Sequence, residues 1–389
     1  MNVAQPPTLQ NEPGLWTRLN SKFDIRAYTM ILALIGIWVI FTFLTGGRFL
    51  TPRNLSNLSR QMSITGVLAI GMVMIIVANH IDLSVGSILG LTGGIAAIMH
   101  VWRHIPAPWA ILAALTLGGI IGAWHGYWVA YQKVPAFIVT LSGYMAYRGI
   151  LLGIQKGQTV APMSPGFTAI SSGYLEPISG TALTAIAIIA LIYFRFRARN
   201  NKIKYGFKVK SLFLEILQTA FYSCVIIASA LILYQYEGIP YPVIIMLVLT
   251  LILTLITTKT KFGRQVYAMG GNIDAARLSG INVRRQTLII FVVAGLLASV
   301  AGVLTTARLS AATITAGQGA EMDAIASCVI GGTSFTGGVG TIPGAILGAL
   351  VMASLDNGMS MMNTEAFWQF IIKGFILLIA VWFDIKTKK

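Results

Sequence analysis

The sequence predicts an all-α polytopic membrane protein with about 10–12 transmembrane helices and both termini in the cytoplasm. Three observations carry that expectation. Only 10% of the 389 residues are charged and 56% are hydrophobic, against about 25% charged in a soluble domain. The apolar residues form long runs separated by short polar stretches, as a lipid solvent requires. The basic residues of a chain with net charge +16 concentrate in those stretches. A membrane protein records its orientation in this way, so the charge does not point to nucleic acid.

A hydrocarbon core of about 30 Å takes roughly 20 apolar residues per helix. The candidate spans are 27–45, 62–78, 84–101, 109–131, 135–154, 178–194, 212–234, 241–258, 287–306, 321–337, 342–361 and 366–383. Twelve is the preferred count and ten the alternative, because the segments near 62–101 and 321–337 read as broken or re-entrant. Residues 1–26 are polar and lead into a run too long for a signal peptide, so the first span is expected to be retained. The loop "RFRARNNKIKYGFKVK" (195–210) holds seven basic residues and no acid. The connection 259–286 holds six basic residues against Asp274, and the head and the tail are also basic. Twelve spans place all four segments in the cytoplasm. Arg48, Arg53 and Arg60 then fall outside, which a weak amphipathic surface helix at 53–61 would accommodate. Cys224 and Cys328 lie in apolar runs and read as small core residues.

The stretch "IVANHIDLSVGSILGLTGG" (76–94) places Asn79, His80, Asp82 and Ser84 between apolar runs. Asp82 or Ser84 can cap the helix that follows. A carboxylate at that depth is also expensive, which makes Asn79, Asp82 and Ser84 candidates for a translocation path through a broken helix.

The longest polar connection, "GRQVYAMGGNIDAARLSGINVRR" (263–285), carries a helix signature. Asn272 can serve as N-cap, Asp274 sits in the first turn and Gly280 fits the C′ position. Ala275, Ala276 and Leu278 offer a small apolar face among Arg277 and Ser279. Such a helix has the form of one that lies in another protein's groove, and a plain membrane-surface connector is the alternative.

"AMGGNIDAARLSGI" resembles the cytoplasmic coupling segment of the permease subunits of bacterial ABC-type importers for ribose, galactose and xylose. "IDLSVGS", "VPAFIVTLSGYMAYRGI" (134–150), "DAIASCVIGGTSFTGGVGTIPGAILGA" (323–349) and "SLDNGMSMM" (354–362) extend the resemblance from about Asn54 to Phe383. One permease domain over 27–383 is expected, and the basic residues place a head (1–26) and a tail (384–389) in the cytoplasm on either side of it. The resemblance implies that residues 272–280 dock an ATPase subunit, which holds the ATP and Mg while this chain binds no cofactor. The partners implied are that ATPase, a periplasmic sugar-binding protein, a second copy of the chain and the lipid bilayer of the inner membrane. The extra segment 175–235 resembles the xylose permeases, so D-xylose is the implied sugar. Ribose, galactose, a nucleoside or another small solute is the alternative within the family.

Gly340, Gly344 and Gly348 recur every four residues and permit close helix packing, with a dimer face or gate as the sharper reading. Asp356 and Lys373 lie roughly 12 Å deep on helices joined by a tight turn, so they are expected to face each other or one polar cavity. Asp356, Asn357 and Lys373 are therefore further path candidates. Glu321 and Asp323 open a span on the outer side, as caps or as contacts for an incoming binding protein. Most tryptophans fall near span ends, as interfacial belts do. Trp124, His125 and Tyr127 have the chemistry to stack on a sugar ring, and His100 and His104 read as loop residues. The glycine-rich third lacks the lysine of a nucleotide-binding loop. No metal-ligand or nucleophile–base spacing appears, which argues against an enzyme. An ion-coupled secondary transporter would need a titrating carboxylate at the membrane midplane, and the acids here cluster near span ends.

Overall fold

The computed structural model describes residues 25–207, 209 and 211–386. The head 1–26, apart from its last two residues, and the end of the tail 384–389 lie outside the described residues.

The elements run in chain order. Helix α1 (Ile25–Leu44) leads through a short 3-10 turn to α2 (Pro52–Val77) and α3 (Val85–Ala97), which continues as a π-helical turn to Trp102. Then come α4 (Ala107–Ala130), α5 (Ala136–Gln155), α6 (Pro165–Ser172) and β1 (Tyr174–Leu175). A helical hairpin follows, α7 (Pro177–Lys204) and α8 (Leu212–Tyr234), closed by β2 (Ile239–Pro240). The chain continues as α9 (Tyr241–Lys259), α10 (Lys261–Gly271), α11 (Ile273–Leu278) and α12 (Val283–Leu309). It ends with α13 (Ala320–Ile330), α14 (Ile342–Met361) and α15 (Ala366–Lys386).

Ten of these helices are long and apolar enough to cross a membrane. Helix α1 adds a shorter apolar stretch, Met30–Leu44. The expected span 321–337 stops at Ile330, and Gly332 takes φ +88°. At 11 residues α13 covers about half a bilayer core. The separate surface helix expected at 53–61 does not exist. Those residues form the first turns of α2, because Pro52 starts that helix, nothing interrupts it before Val77, and Leu55 and Leu58 are buried.

Helices α2 and α12 form the centre. Every residue from Gly66 to Val77 is buried, and α12 packs against α2, α3 and α4. The backbones of α4 and α12 approach closely: a side chain at Gly122 would collide with the carbonyl of Phe291, and one at Gly295 with that of Gly118. Small residues do this work in lipid, where apolar side chains gain little by leaving the hydrocarbon.

The hairpin α7–α8 is attached differently. β1 and β2 pair antiparallel, Tyr174 opposite Pro240 and Leu175 opposite Ile239, so both ends of the inserted segment are tied together at one point. Beyond it the hairpin touches the core mainly through α8 on α2. Cys224 is exposed on α8, so only Cys328 is a core residue; its Sγ lies 3.4 Å from the Ala69 carbonyl.

Candidate functional site

The turn after α2 is built by Asn79, whose φ of +62° ends the helix. Leu83 N–H then donates to Thr140 Oγ1 at 3.1 Å. Asp82 is 1% exposed, and its Oδ1 accepts from Ser84 N–H at 2.8 Å and from Ser84 Oγ at 2.6 Å. The carboxylate therefore holds Ser84, the N-cap residue of α3, by its N–H and hydroxyl; the expected cap on an amide inside the helix is made by neither side chain. The chain of contacts continues from Ser84 Oγ to His125 Nδ1 at 3.5 Å and from His125 Nε2 to Tyr147 Oη at 2.9 Å. A serine, a histidine and an aspartate meet here without making a nucleophile. Asp82 holds Ser84 instead of His125, and all three are buried. The network ties the 79–84 turn to α4 and α5.

The path candidates thus separate. Asn79 lines a cavity of about 760 Å³ with His80, Lys133, Arg277 and Arg284, between the 79–84 turn, the α4–α5 connection and α11. Asp82 and Ser84 turn away from it into the core. Burial against Phe291 pushes the His80 imidazole down to about 4, so the ring is neutral.

The coupling segment is local chemistry in the first instance. Asn272 Oδ1 accepts from Asp274 N–H at 3.0 Å and from Ala275 N–H at 2.9 Å. Gly280 takes φ +77° after the helix, as a left-handed C-terminal cap requires. Ala276 is buried and faces the protein, while Leu278 is 90% exposed. The expected apolar face is therefore divided: Ala276 seats the helix and Leu278 is left outside. Asp274 and Arg277 make an exposed pair at 3.6 Å, and Ser279 Oγ bonds back to the Ala275 carbonyl.

Helix α10 connects this segment to the core. Tyr267 Oη donates to the Gly340 carbonyl at 2.7 Å, and burial pushes its phenol up. Gly270 lies so close to the Val77 carbonyl that a side chain there would collide with it. That same carbonyl accepts from Gly338 N–H at 2.9 Å. The end of α2, the end of α10 and the loop before α14 therefore meet at one junction.

The second charged cluster is a lysine between two carboxylates. Lys373 Nζ lies 2.7 Å from Asp356 Oδ1 and 3.0 Å from Asp323 Oδ2. Asp356 and Lys373 meet as their depths predict; Asp323 is the member that sequence reasoning placed elsewhere. Glu321 and Asp323 are not open to an incoming protein. Glu321 is 5% exposed and packs against Gly86, and Asp323 is held by Lys373. Their depth follows from α13 being a half helix, which begins inside the bundle instead of at its rim. Asn357 is buried and accepts from Asn54 Nδ2 at 2.8 Å.

The glycine row is also divided. Gly344 and Gly348 lie on α14 where side chains would strike the carbonyls of Gly331 and Ser327, so that face packs α13 of the same chain. Gly340 precedes the helix and packs on Thr333 and Val77. This face is buried within the chain and is not a dimer face. Trp124 and Tyr127 are exposed on α4 while His125 is buried, so the three do not form one sugar platform. His100 is part of the π turn, not a loop, and bonds the Ile105 carbonyl and Ser164 Oγ. Arg148 was missed: its Nη1 donates to the carbonyls of Ile314 and Ala316 at 3.2 and 2.8 Å, pinning the loop before α13 to α5. The lone arginine in "YMAYRGI" was the available signal.

Comparison with known proteins places this arrangement. Residues 54–381 match the family described as branched-chain amino acid transport system / permease component. The chain is 50% identical over 366 residues to the xylose transport system permease protein XylH of Haemophilus influenzae, covering 94% of this chain and 98% of that protein. It is 47% identical to the Escherichia coli protein of the same name, covering 94% and 93%. The ribose import permease protein RbsC of Escherichia coli is more distant, at 36% identity over 92% of this chain and 94% of its own length. No solved structure matches the chain.

Proposed function

The chain belongs to the branched-chain amino acid transport system / permease component family, and from that premise we propose that it is the membrane subunit of an ATP-driven importer for D-xylose in the bacterial inner membrane. The xylose transport permeases at 47–50% identity over nearly the whole chain support the sugar. The observation that carries the mechanism is the short capped helix α11, with Leu278 90% exposed at its end.

In this reading α10 and α11 lie in the cytoplasm with both termini, and α11 sits in a groove of a separate ATPase subunit. ATP and Mg act there. Closure of the ATPase pair pushes α11, and α10 passes the displacement to the junction of Val77, Gly270 and Gly338. A close-packed junction has no slack to absorb such a push, so the end of α2 and the loop before α14 move with it. The cavity at Asn79 and His80 is the inner mouth of the path. Two copies of the chain form the path, and a periplasmic sugar-binding protein delivers the sugar to the other side. A transient channel gains nothing from holding a sugar tightly, so specificity resides mostly in the binding protein.

Uptake of labelled D-xylose by cells expressing the whole system tests the reading. Unlabelled xylose is expected to compete better than ribose or galactose, and collapse of the proton gradient at maintained ATP is expected to spare uptake. Uptake that dies with the gradient would mean an ion-coupled transporter. Equal competition by ribose would remove the xylose assignment and leave the importer.

A further inference from the structure

Helix α7 has 28 residues, about 42 Å at 1.5 Å per residue. The hydrocarbon is about 30 Å thick. Counted from Pro177, it is used up near Phe196. The last turns of α7 therefore lie at the level of the lipid headgroups, on the side of the molecule that carries α10 and α11. Below them the hairpin presents a lipid surface: Ile186, Ile189 and Phe221 are all more than 60% exposed.

At that level a cleft opens between α7 and α8, lined by Arg195, Arg199, Lys202, Glu215 and Gln218. Glu215 is taken by Arg199 at 2.7 Å, which leaves the positive charge of Arg195 and Lys202 unbalanced among the lining groups. The guanidinium of Arg195 rests on the Tyr222 ring, 4.7 Å from its centre. Stacking occupies the face of the guanidinium and leaves its N–H edge to donate. Phe196 completes the lining on the lipid side. A cationic cleft with an apolar margin, at headgroup depth and on a hairpin surrounded by lipid, matches one chemistry. We propose that it binds the phosphodiester headgroup of an anionic phospholipid, with Arg195 and Lys202 on the phosphate and Arg199 oriented by Glu215.

The test uses the full chain, delipidated in mild detergent and offered phosphatidylglycerol or phosphatidylcholine, with bound lipid counted by native mass spectrometry. Phosphatidylglycerol is expected to be retained over phosphatidylcholine. The Arg195→Gln/Lys202→Gln variant is expected to lose roughly thirty-fold in that retention. Arg195→Lys/Lys202→Arg keeps the charge and should keep most of the lipid. Arg103→Gln, on another loop, should change nothing. Equal retention of the two lipids, or retention unchanged in the Gln variant, would overturn the proposal. Retention of inorganic phosphate by a chain that retains no phosphatidylglycerol would assign the cleft to a soluble anion. Loss of a co-purifying protein from native membranes with lipid retention intact would make the tip a protein contact. Either result excludes the lipid.

Discussion

The apolar stretches of helices α2 and α7 are about equally hydrophobic, yet that of α2 is 72% buried in the protein and that of α7 only 6%. Hydropathy measures preference for leaving water and does not distinguish protein from lipid as the destination. The difference lies in whether the helix's small residues meet neighbouring helices. Helix α2 carries Gly66 and Gly71 against neighbouring helices, with Ser56 and Ser63 buried. Helix α7 has small residues too, but Ala182, Ala185 and Ala187 are exposed, and its one glycine, Gly180, meets only Tyr234 of the companion helix. Close backbone approach to neighbouring helices holds a membrane core together; without such neighbours an equally apolar helix stays in lipid.

That contrast can be broken experimentally. The largest effect is expected where charge is buried. Lys373→Met leaves Asp323 and Asp356 facing each other without a cation and should destabilise the protein by about 3–5 kcal/mol, read as thermal unfolding in detergent. Combining it with Asp323→Asn and Asp356→Asn should recover most of the loss. A single variant as stable as the parent would show that the cluster does not fasten α15.

Next is the glycine packing. Gly348→Val drives a side chain into the Ser327 carbonyl and should cost about 1–3 kcal/mol. Ile186→Val on the lipid face of α7 should stay within about 0.5 kcal/mol. Equal losses would erase the distinction between the glycine-packed core and the lipid-facing hairpin.

Removing the hairpin should cost less than the glycine change. Residues 176–238 replaced by Asn-Gly join Leu175 to Ile239, which already face each other in register. The remaining bundle is expected to melt within about 4 °C of the parent. A collapse of the fold would mean that the α8–α2 contact is part of the core.

The smallest effect at neutral pH concerns His80. Its folded value of about 4 lies below the unfolded one of about 6.5. Its contribution is present above about pH 6.5 and is lost as the pH falls toward 4, because the unfolded state takes the proton first. His80→Gln should flatten that acid limb of the melting curve and leave pH 7.5 unchanged.

Much of this was legible in the sequence, and the failures share a cause. Span positions follow from apolar runs, and the cap at Asn272 follows from local bonding, so both could be read directly. Asp356 and Lys373 could be paired because one turn fixes their depths. Asp323 could not be added, because its depth depends on α13 stopping after 11 residues and on which helices flank it. Tertiary neighbours also decided the division of Asn79 from Asp82 and of Ala276 from Leu278. A cap position states where the backbone begins a helix but not which cavity a side chain enters.

The central claim is that α11 is the handle by which an ATPase moves this chain. It is tested most directly by a mild-detergent pull-down from native membranes. The tagged protein is compared with a version in which residues 272–281 are replaced by a Gly/Ser linker, beside Leu278→Asp as a single change that leaves the buried Ala276 in place. The account predicts that an ATPase subunit comes down with the parent, weakens with Leu278→Asp and is lost with the linker. An ATPase that binds the linker version as well as the parent would contradict it.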